Sequence, residues 1–293
     1  MKSWLKKGFK LLPWHVRDVI FYSRTFRRLP NLRNPKTFNE KTLCRKHYDC
    51  YSNARFPLLA DKYQVREYVS AKIGQQYLIP LVCVLDKVEE LAALQSHLKD
   101  TVVKSTHGAG MVHFFDEVPD DEGLKQAQQL FQRWLETDYT AHAGEHHYSM
   151  IPRRLVVEQR IVGEQTHLTD YKFHLFRQPD NTYWYVLQMI DCRFDGNMQH
   201  RFYVNALTSK ELNLLRPALQ QALALSVPLM GELEYARIDW YIAQGQPWFG
   251  EITLTPAAGF SCAIGDELDQ LMGQHWHYQK PVKGMQPARL RQA

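Results

Sequence analysis

Hydrophobic and polar positions follow two periods along this chain. In LLADKYQVREYVSAKI (58–73), Leu59, Tyr63, Val65, Tyr68, Val69 and Ile73 recur at helical spacing, with Asp61 placed to cap or charge the start and Gly74 to stop the helix. YLIPLVCVL (77–85) is a continuous apolar run of strand length, with Pro80 near its start. Residues 87–98 and 121–138 read as helices, 155–161, 171–177 and 183–191 as strands, and 210–226 as a helix stopped by Pro228. TVVKSTHGAG (101–110) is a short strand running into a glycine loop, and PNLRNPKTFNE (30–40) reads as an ordered loop. Strands and helices mix without a regular βαβ period, an internal repeat or a low-complexity linker, which predicts an α+β fold in packed layers.

The pattern is most informative near the C-terminus, where ARIDWYI (236–242) and WFGEITL (248–254) flank the turn AQGQP. Side chains alternate faces along a strand, so Arg237 shares a face with Asp239, and Glu251 with Thr253. A hairpin with a three-residue loop sets Asp239 opposite Glu251. Two carboxylates that converge beside an apolar core are costly unless neutralised. A divalent cation resolves that cost, and hard oxygen ligands from one or two carboxylates suit Mg²⁺ bridging to phosphates. The same pattern also reads as a hairpin with polar residues on its solvent face.

Composition adds a frame. The chain has 293 residues, 45% hydrophobic and 12% aromatic, enough for one large domain or two smaller ones. No apolar run reaches the roughly 18–20 residues needed to span a bilayer. The N-terminus lacks the continuous apolar stretch and cleavage site of a signal peptide. Cys44, Cys50, Cys83, Cys192 and Cys262 are odd in number and scattered, which favours reduced thiols in the cytosol over a disulfide or zinc framework.

The net charge of +5 is uneven: residues 1–36 carry ten lysines and arginines against one acid, Asp18, so the remainder is net negative. Trp4, Leu5, Phe9, Leu11, Leu12, Trp14 and Phe21 interleave with those cations. Such an arm suits an anionic membrane surface, or equally a helix packed on the body with a solvated basic face. No nucleic-acid motif accompanies it.

Three further segments carry candidate chemistry. Lys104 ends an apolar strand just before Ser105-Thr106-His107-Gly108-Ala109-Gly110, where backbone N–H groups can face an anion. In RRLVVEQRIVGEQ (153–165), Glu158 and Glu164 or Gln165 suit ribose hydroxyls, and the backbone of Gln159 to Ile161 suits an adenine edge. In DYKFHLF (170–176), Lys172 shares a face with His174 and either reaches water or meets a buried anion. His142, Glu145 and His146 spell HxxEH, with His147 beside them, but that zinc pattern requires a helix and Gly144 interrupts it.

FNEK (38–41), ADKYQVREYV (60–69), YLIPLV (77–82), VVKSTHGAG (102–110), PRxLVVEQ (152–159), DYKFHLF (170–176) and ARIDWY…FGEITLTPAAGF (236–260) occur in an order that resembles the TupA-like branch of the ATP-grasp superfamily. That branch is associated with teichuronopeptide and other surface polysaccharides. The resemblance covers roughly residues 30–262 and little of the arm. It implies an ATP-grasp fold, two α+β lobes holding ATP between them, with a basic N-terminal helical arm. The chain then divides into the arm (1–36), an N-terminal α/β region (37–100), a small lobe with the phosphate loop (101–161), a large lobe with the metal site (162–275) and a polar tail (276–293).

The resemblance also implies roles. Lys104 meets the α/β-phosphates, and Ser105, His107, Gly108 and Gly110 belong to the flap over them. Glu158, Gln159 and Ile161 line the hinge against adenine, with Glu164 near the ribose, and Lys172 faces the phosphates. Arg237 stabilises the transferring phosphoryl, while Asp239 and Glu251 hold magnesium. Thr253 stands where many relatives have Asn, a departure that weakens one metal position. Arg193 and Arg201 flank an aspartate-glycine turn and suit anion contacts or the acceptor carboxylate.

The expected activity is therefore an ATP- and Mg²⁺-dependent ligase. It activates a carboxylate, a uronic acid of a cell-surface polysaccharide or its precursor, as an acyl phosphate and joins it to an amino acid or amine. Alternatives are a kinase acting on a sugar hydroxyl, or a non-catalytic nucleotide-binding member of a glycan assembly complex. The expected location is cytoplasmic, at the inner face of the membrane where the arm engages it.

Overall fold

The computed structural model describes residues 11–161, 169–191 and 198–280. Its strands are β1 Leu81–Leu85, β2 Thr101–Ser105, β3 Val112–Phe115, β4 Leu155–Gln159, β5 Asp170–Arg177, β6 Tyr183–Asp191, β7 Gln199–Val204, β8 Tyr235–Ala243 and β9 Gln246–Thr253. They form a four-stranded sheet in the order β1-β4-β2-β3 and a five-stranded sheet in the order β7-β6-β5-β8-β9. Every pairing between these strands is antiparallel. The helices are α1 Trp14–Phe26, α2 Phe38–Ser52, α3 Arg55–Ala60, α4 Val65–Ile73, α5 Asp121–Glu136, α6 Thr140–Ala143, α7 Arg216–Met230 and α8 Gly265–His275, so the α+β class holds.

Each sheet packs one predominantly apolar face against helices. On the small sheet Val103, Leu155 and Val157 pack under Leu124 and Phe131 of α5 and under Leu91 and Leu98. By alternation, Val102, Lys104, Val156 and Glu158 occupy the other face. On the large sheet Phe173, Leu175, Leu187, Ile238, Trp240 and Ile252 pack against α3, α4 and α7 through Phe56, Leu59, Val69 and Leu219. Its opposite face is divided. Phe176, Val186 and Tyr235 are covered by Phe38 of α2 and by Met272 and Trp276. The polar half, with Asp170, Lys172, Asp239 and Glu251, carries the chemistry.

Several elements depart from expectation. The 58–73 helix is two helices: α3 ends at Ala60, and Asp61 accepts the amides of Tyr63 (2.8 Å) and Gln64 (3.1 Å) ahead of α4. Helix α2 begins inside the expected 30–40 loop, at a capping box in which Thr37 and Glu40 satisfy each other's amides. Residues Val88–His97 are 3₁₀ helix, and α7 runs through Pro228 because burial of Leu229 and Met230 holds its last turn. The hairpin turn has two residues, not three: Gln244 (φ 53°) and Gly245 (φ 73°) both take left-handed backbone. A bulge at Gly250, left between the Asp239–Glu251 and Trp240–Phe249 pairs, supplies the missing residue, and Asp239 still faces Glu251.

Helix α1 is fastened to the body by a buried acid. Asp18, fully buried, accepts from Lys46 Nζ (2.9 Å) and faces His47 Nε2 (2.6 Å). Lys46 also donates to the carbonyls of Ala143 (2.9 Å) and Ala258 (3.1 Å). Phe21 meets Phe260 edge-on at 6.2 Å. Leu11 and Leu29 remain exposed, and no described helix is long and apolar enough to cross a membrane. Residues 1–10 of the arm and 281–293 of the tail lie outside the described residues.

Helix α8 crosses α2 at backbone distance. A Cβ on Gly273 would sit 2.2 Å from the Lys36 carbonyl oxygen and 2.7 Å from Thr37 Cα. Both obstacles are main chain and cannot rotate away. Gly273→Ala is therefore expected to cost about 1–3 kcal/mol or more, read as a lowered thermal unfolding midpoint.

Candidate active site

On the polar half of the large sheet the side chains form one ion network. Arg237 grips Asp239 through Nε to Oδ1 and Nη2 to Oδ2, each at 2.7 Å, and the same Nη2 donates to Glu251 Oε1 (2.9 Å) and Thr253 Oγ1 (2.8 Å). Thr253 in turn donates to Glu251 Oε1 at 3.0 Å. Lys172 pairs with Asp239 Oδ2, and with Asp170 at 3.2 Å. Burial works against the Arg237 charge, but Asp239 and Glu251 outweigh it and raise its pKa above the ordinary guanidinium value. Beneath them His174 is bonded to Tyr235 Oη (3.0 Å) and Gln188 Oε1 (3.1 Å). Burial, Arg237 and Lys172 push its pKa down to about 3, so it stays neutral.

The small sheet contributes a second network. Lys104 Nζ and Arg66 Nη1 both reach Glu158, each at 2.7 Å, and Arg66 also donates to the Ile79 carbonyl (2.8 Å). Lys62, just before α4, donates to the Gly108 carbonyl in the loop that follows β2. Burial lowers the Lys62 pKa and Lys104 lowers it further, while Glu251 opposes them. Lys62 thus stands within electrostatic reach of Glu251 on the large sheet and of Lys104 and Glu158 on the small one.

The loop itself is held from behind. Ser105 and His107 are buried and bonded to each other at 2.8 Å, and His107 Nε2 faces the Thr137 carbonyl at 3.2 Å. Ser105 lies on the core face of β2, opposite to Lys104, so these two side chains shape the loop. Gly108 has φ 98°, and a Cβ there would meet the Tyr139 ring at 2.4 Å. Gly110 has φ 79° and open space around it. At the end of β4 the Gln159 amide is bonded to Pro80 (2.9 Å) and the Arg160 amide to Asp100 (2.8 Å), with Ile161 following.

Arg237, Asp239, Glu251, Thr253 and Lys172 are thus brought together on the large sheet, and Lys104 pairs with Glu158 on the small one. Glu164 and Arg193 lie outside the described residues. Arg201 is held by Asp191 and by Glu211 at 3.6 Å. Of the HxxEH segment, α6 is four residues long, His146 packs on Tyr51 with ring centroids 3.7 Å apart, and His147 is buried 3.1 Å from Cys50 Sγ, while the side chain of His142 lies outside what is described. Burial lowers the His147 pKa to about 3 and raises that of Cys50, so the pair is neutral packing. Among the described residues no group of three or more His, Cys, Asp or Glu could hold a metal ion.

Sequence reasoning missed Lys62, Arg66 and Glu145. Glu145 is buried and accepts from the Thr255 hydroxyl at 2.5 Å. Burial raises its pKa to about 7, against the pull of Thr255 and Lys46. It lines a cavity of about 480 Å³ that also reaches Arg237, Glu251 and Thr253. Lys62 and Arg66 fall within a segment that carried the resemblance, but as polar positions of an expected helix they gave no separate signal.

A family model described as TupA-like ATPgrasp matches residues 40–277. No curated protein matches the chain. Among solved structures, the D-alanine–D-alanine ligase of Helicobacter pylori is 14% identical, with 74% of this chain and 61% of that one covered and a TM-score of 0.46. The Bacillus anthracis D-alanine–D-alanine ligase complexed with ATP is 16% identical, with 76% and 67% covered and a TM-score of 0.42. N5-carboxyaminoimidazole ribonucleotide synthetase from Thermus thermophilus is 12% identical, with 67% and 45% covered and a TM-score of 0.41. The chain spans roughly half of the last structure's length.

Proposed function

The chain belongs to the TupA-like ATP-grasp family, and from that premise we propose that it is an ATP- and Mg²⁺-dependent ligase that activates a carboxylate as an acyl phosphate and joins it to an amine. The observation that carries this reading is the Arg237 network: one guanidinium holding two carboxylates and a hydroxyl, with Lys172 on the same carboxylate. Phosphoryl transfer is catalysed by positioning and charge neutralisation. Lys104, Lys62 and Lys172 supply cations for the phosphates. Arg237 supplies the charge that meets the transferring phosphoryl and then the tetrahedral intermediate. With the Gln159 and Arg160 amides already bonded, the backbone of Ile161 is left to read adenine. Glu158, and Glu164 beyond the described residues, serve the hinge and the ribose.

The donor set fits magnesium. Asp239 and Glu251 offer hard carboxylate oxygens with Thr253 as a third oxygen, and neither nitrogen nor sulfur donors join them. When bound there, the ion would neutralise charge on the β- and γ-phosphates. The acceptor we favour is a uronic acid of a surface polysaccharide or its precursor, joined to an amino acid. The arm's exposed Leu11 and Leu29, with its basic residues, support work at an anionic membrane surface.

ATP turnover to ADP and phosphate, measured with uronic-acid oligosaccharides and hydroxylamine, tests the reading. Hydroxamate that forms with ADP and is lost in Glu251→Ala is the expected result. A stable phosphosugar would replace the ligase by a kinase, and AMP would overturn both.

A further inference from the structure

The cavity beside Arg237 is walled in part by segments of the chain outside the nucleotide machinery. Trp14 and Phe21 of α1, Tyr148 and Phe260 give it aromatic sides. Arg237, Glu251 and Thr253 also line it, and Asp18, Glu145 and Thr255 contribute further acidic and hydroxyl groups. Asp18 is committed, one oxygen to Lys46 and the other to His47. Glu145 differs. It is 94% buried, since its relative exposure is 6%, and its Oε1 accepts from the Thr255 hydroxyl. Lys46 lies near it but spends its three donors on Asp18 and two carbonyls. A carboxylate that lines a cavity together with aromatic side chains is the chemistry that recognises an ammonium group, by charge and by cation–π attraction.

We propose that this cavity is the subsite for a primary amine, and that Glu145 seats its ammonium and takes the proton that must leave before attack. This rests on the ligase reading. R–NH₃⁺ gives one proton to the Glu145 carboxylate, and the freed lone pair attacks the acyl carbon. The C–N bond forms as the C–O bond to phosphate breaks, the electron pair leaving with phosphate. The second nitrogen proton goes to that phosphate, and Glu145 returns its own to solvent. Arg237, in the same lining, marks where the acyl phosphate would lie. The charged and titratable groups around Glu145 are Lys46, Asp18, Arg237, Cys50, Tyr139, Tyr148 and Glu251. Its elevated pKa, near the operating pH, suits a proton acceptor of this kind.

The test compares wild type with Glu145→Gln, which keeps an oxygen for the Thr255 hydroxyl. Both receive ATP, Mg²⁺ and glucuronate oligosaccharides, with either hydroxylamine, unprotonated at neutral pH, or a mixture of amino acids. The variant is expected to form hydroxamate as wild type does and to lose amide formation by roughly a hundredfold, with recovery as pH rises and the amine sheds its proton unaided. Equal amide rates would overturn the role of Glu145 and leave the ligase reading intact. No hydroxamate from wild type would instead count against the ligase reading. Ligand-observed NMR with the same amino acids reads the subsite without turnover: contact with wild type that disappears in Glu145→Gln supports it, and equal contact or none with both overturns it.

Discussion

Replacing Arg237 by methionine is expected to lower ATP turnover by roughly two to three orders of magnitude and to destabilise the fold at the same time. The catalytic loss follows from removing the one guanidinium that bridges Asp239 and Glu251. The stability loss follows from geometry. Asp239 is buried, and without Arg237 it keeps Lys172 alone while Thr253 and Glu251 lose a shared donor. Removing one partner of a buried ion pair costs about 3–5 kcal/mol, because the other charge stays desolvated. Steady-state turnover and a thermal unfolding scan on the same sample separate the two effects. Lost turnover with an unchanged unfolding midpoint would mean that Asp239 is solvated without its partner. Retained turnover would remove Arg237 from the chemistry.

The second large effect is expected at Lys46→Met. Lys46 is completely buried and ties α1 to the body through Asp18 while also binding the carbonyls of Ala143 and Ala258. The methionine fills much of the volume but leaves Asp18 buried with His47 alone and two carbonyls unpaired. Roughly 3–5 kcal/mol of stability is at stake. The same lysine joins three walls of the 480 Å³ cavity, so the variant is also expected to raise KM for the amine and to spare nucleotide binding. Fluorescence-detected ATP analogue binding, beside KM for the amine, distinguishes this from general unfolding: equal loss of both would show that α1 supports the whole fold and not that wall.

Much of the large sheet was legible because strand alternation is local. Arg237, Asp239, Glu251 and Thr253 could be assigned to shared faces from their spacing, and their register agrees. Lys172 followed from the same rule on β5. What failed to show is tertiary. Lys62 and Arg66 come from a helix start, and only folding carries them to Gly108 and Glu158. Glu145 sat in a histidine-rich stretch whose pattern drew attention to metal, while its partner Thr255 is far along the chain. Ser105 and His107 looked suited to an anion because loop residues give no sign of which face they take. The start of α2 was readable: Thr37 and Glu40 spell a capping box, but the neighbouring prolines and asparagines argued more loudly for a loop. Pro228 was misread because helix breaking is a local preference and the burial of Leu229 and Met230 is not local.

The bulge at Gly250 bears on how relatives of this chain are to be aligned. A two-residue turn plus one bulged residue brings Asp239 opposite Glu251, and so would a three-residue turn on a regular ladder. Either way the two carboxylates stand the same distance apart in the sequence. A homologue lacking a glycine at the bulge can therefore keep the pairing if its turn is one residue longer. Its gaps then belong in two places, one at the turn and one before the glutamate. Closing both gaps at the turn would shift every intervening residue by one, exchanging the inner and outer faces of β9 on paper while the molecules agree.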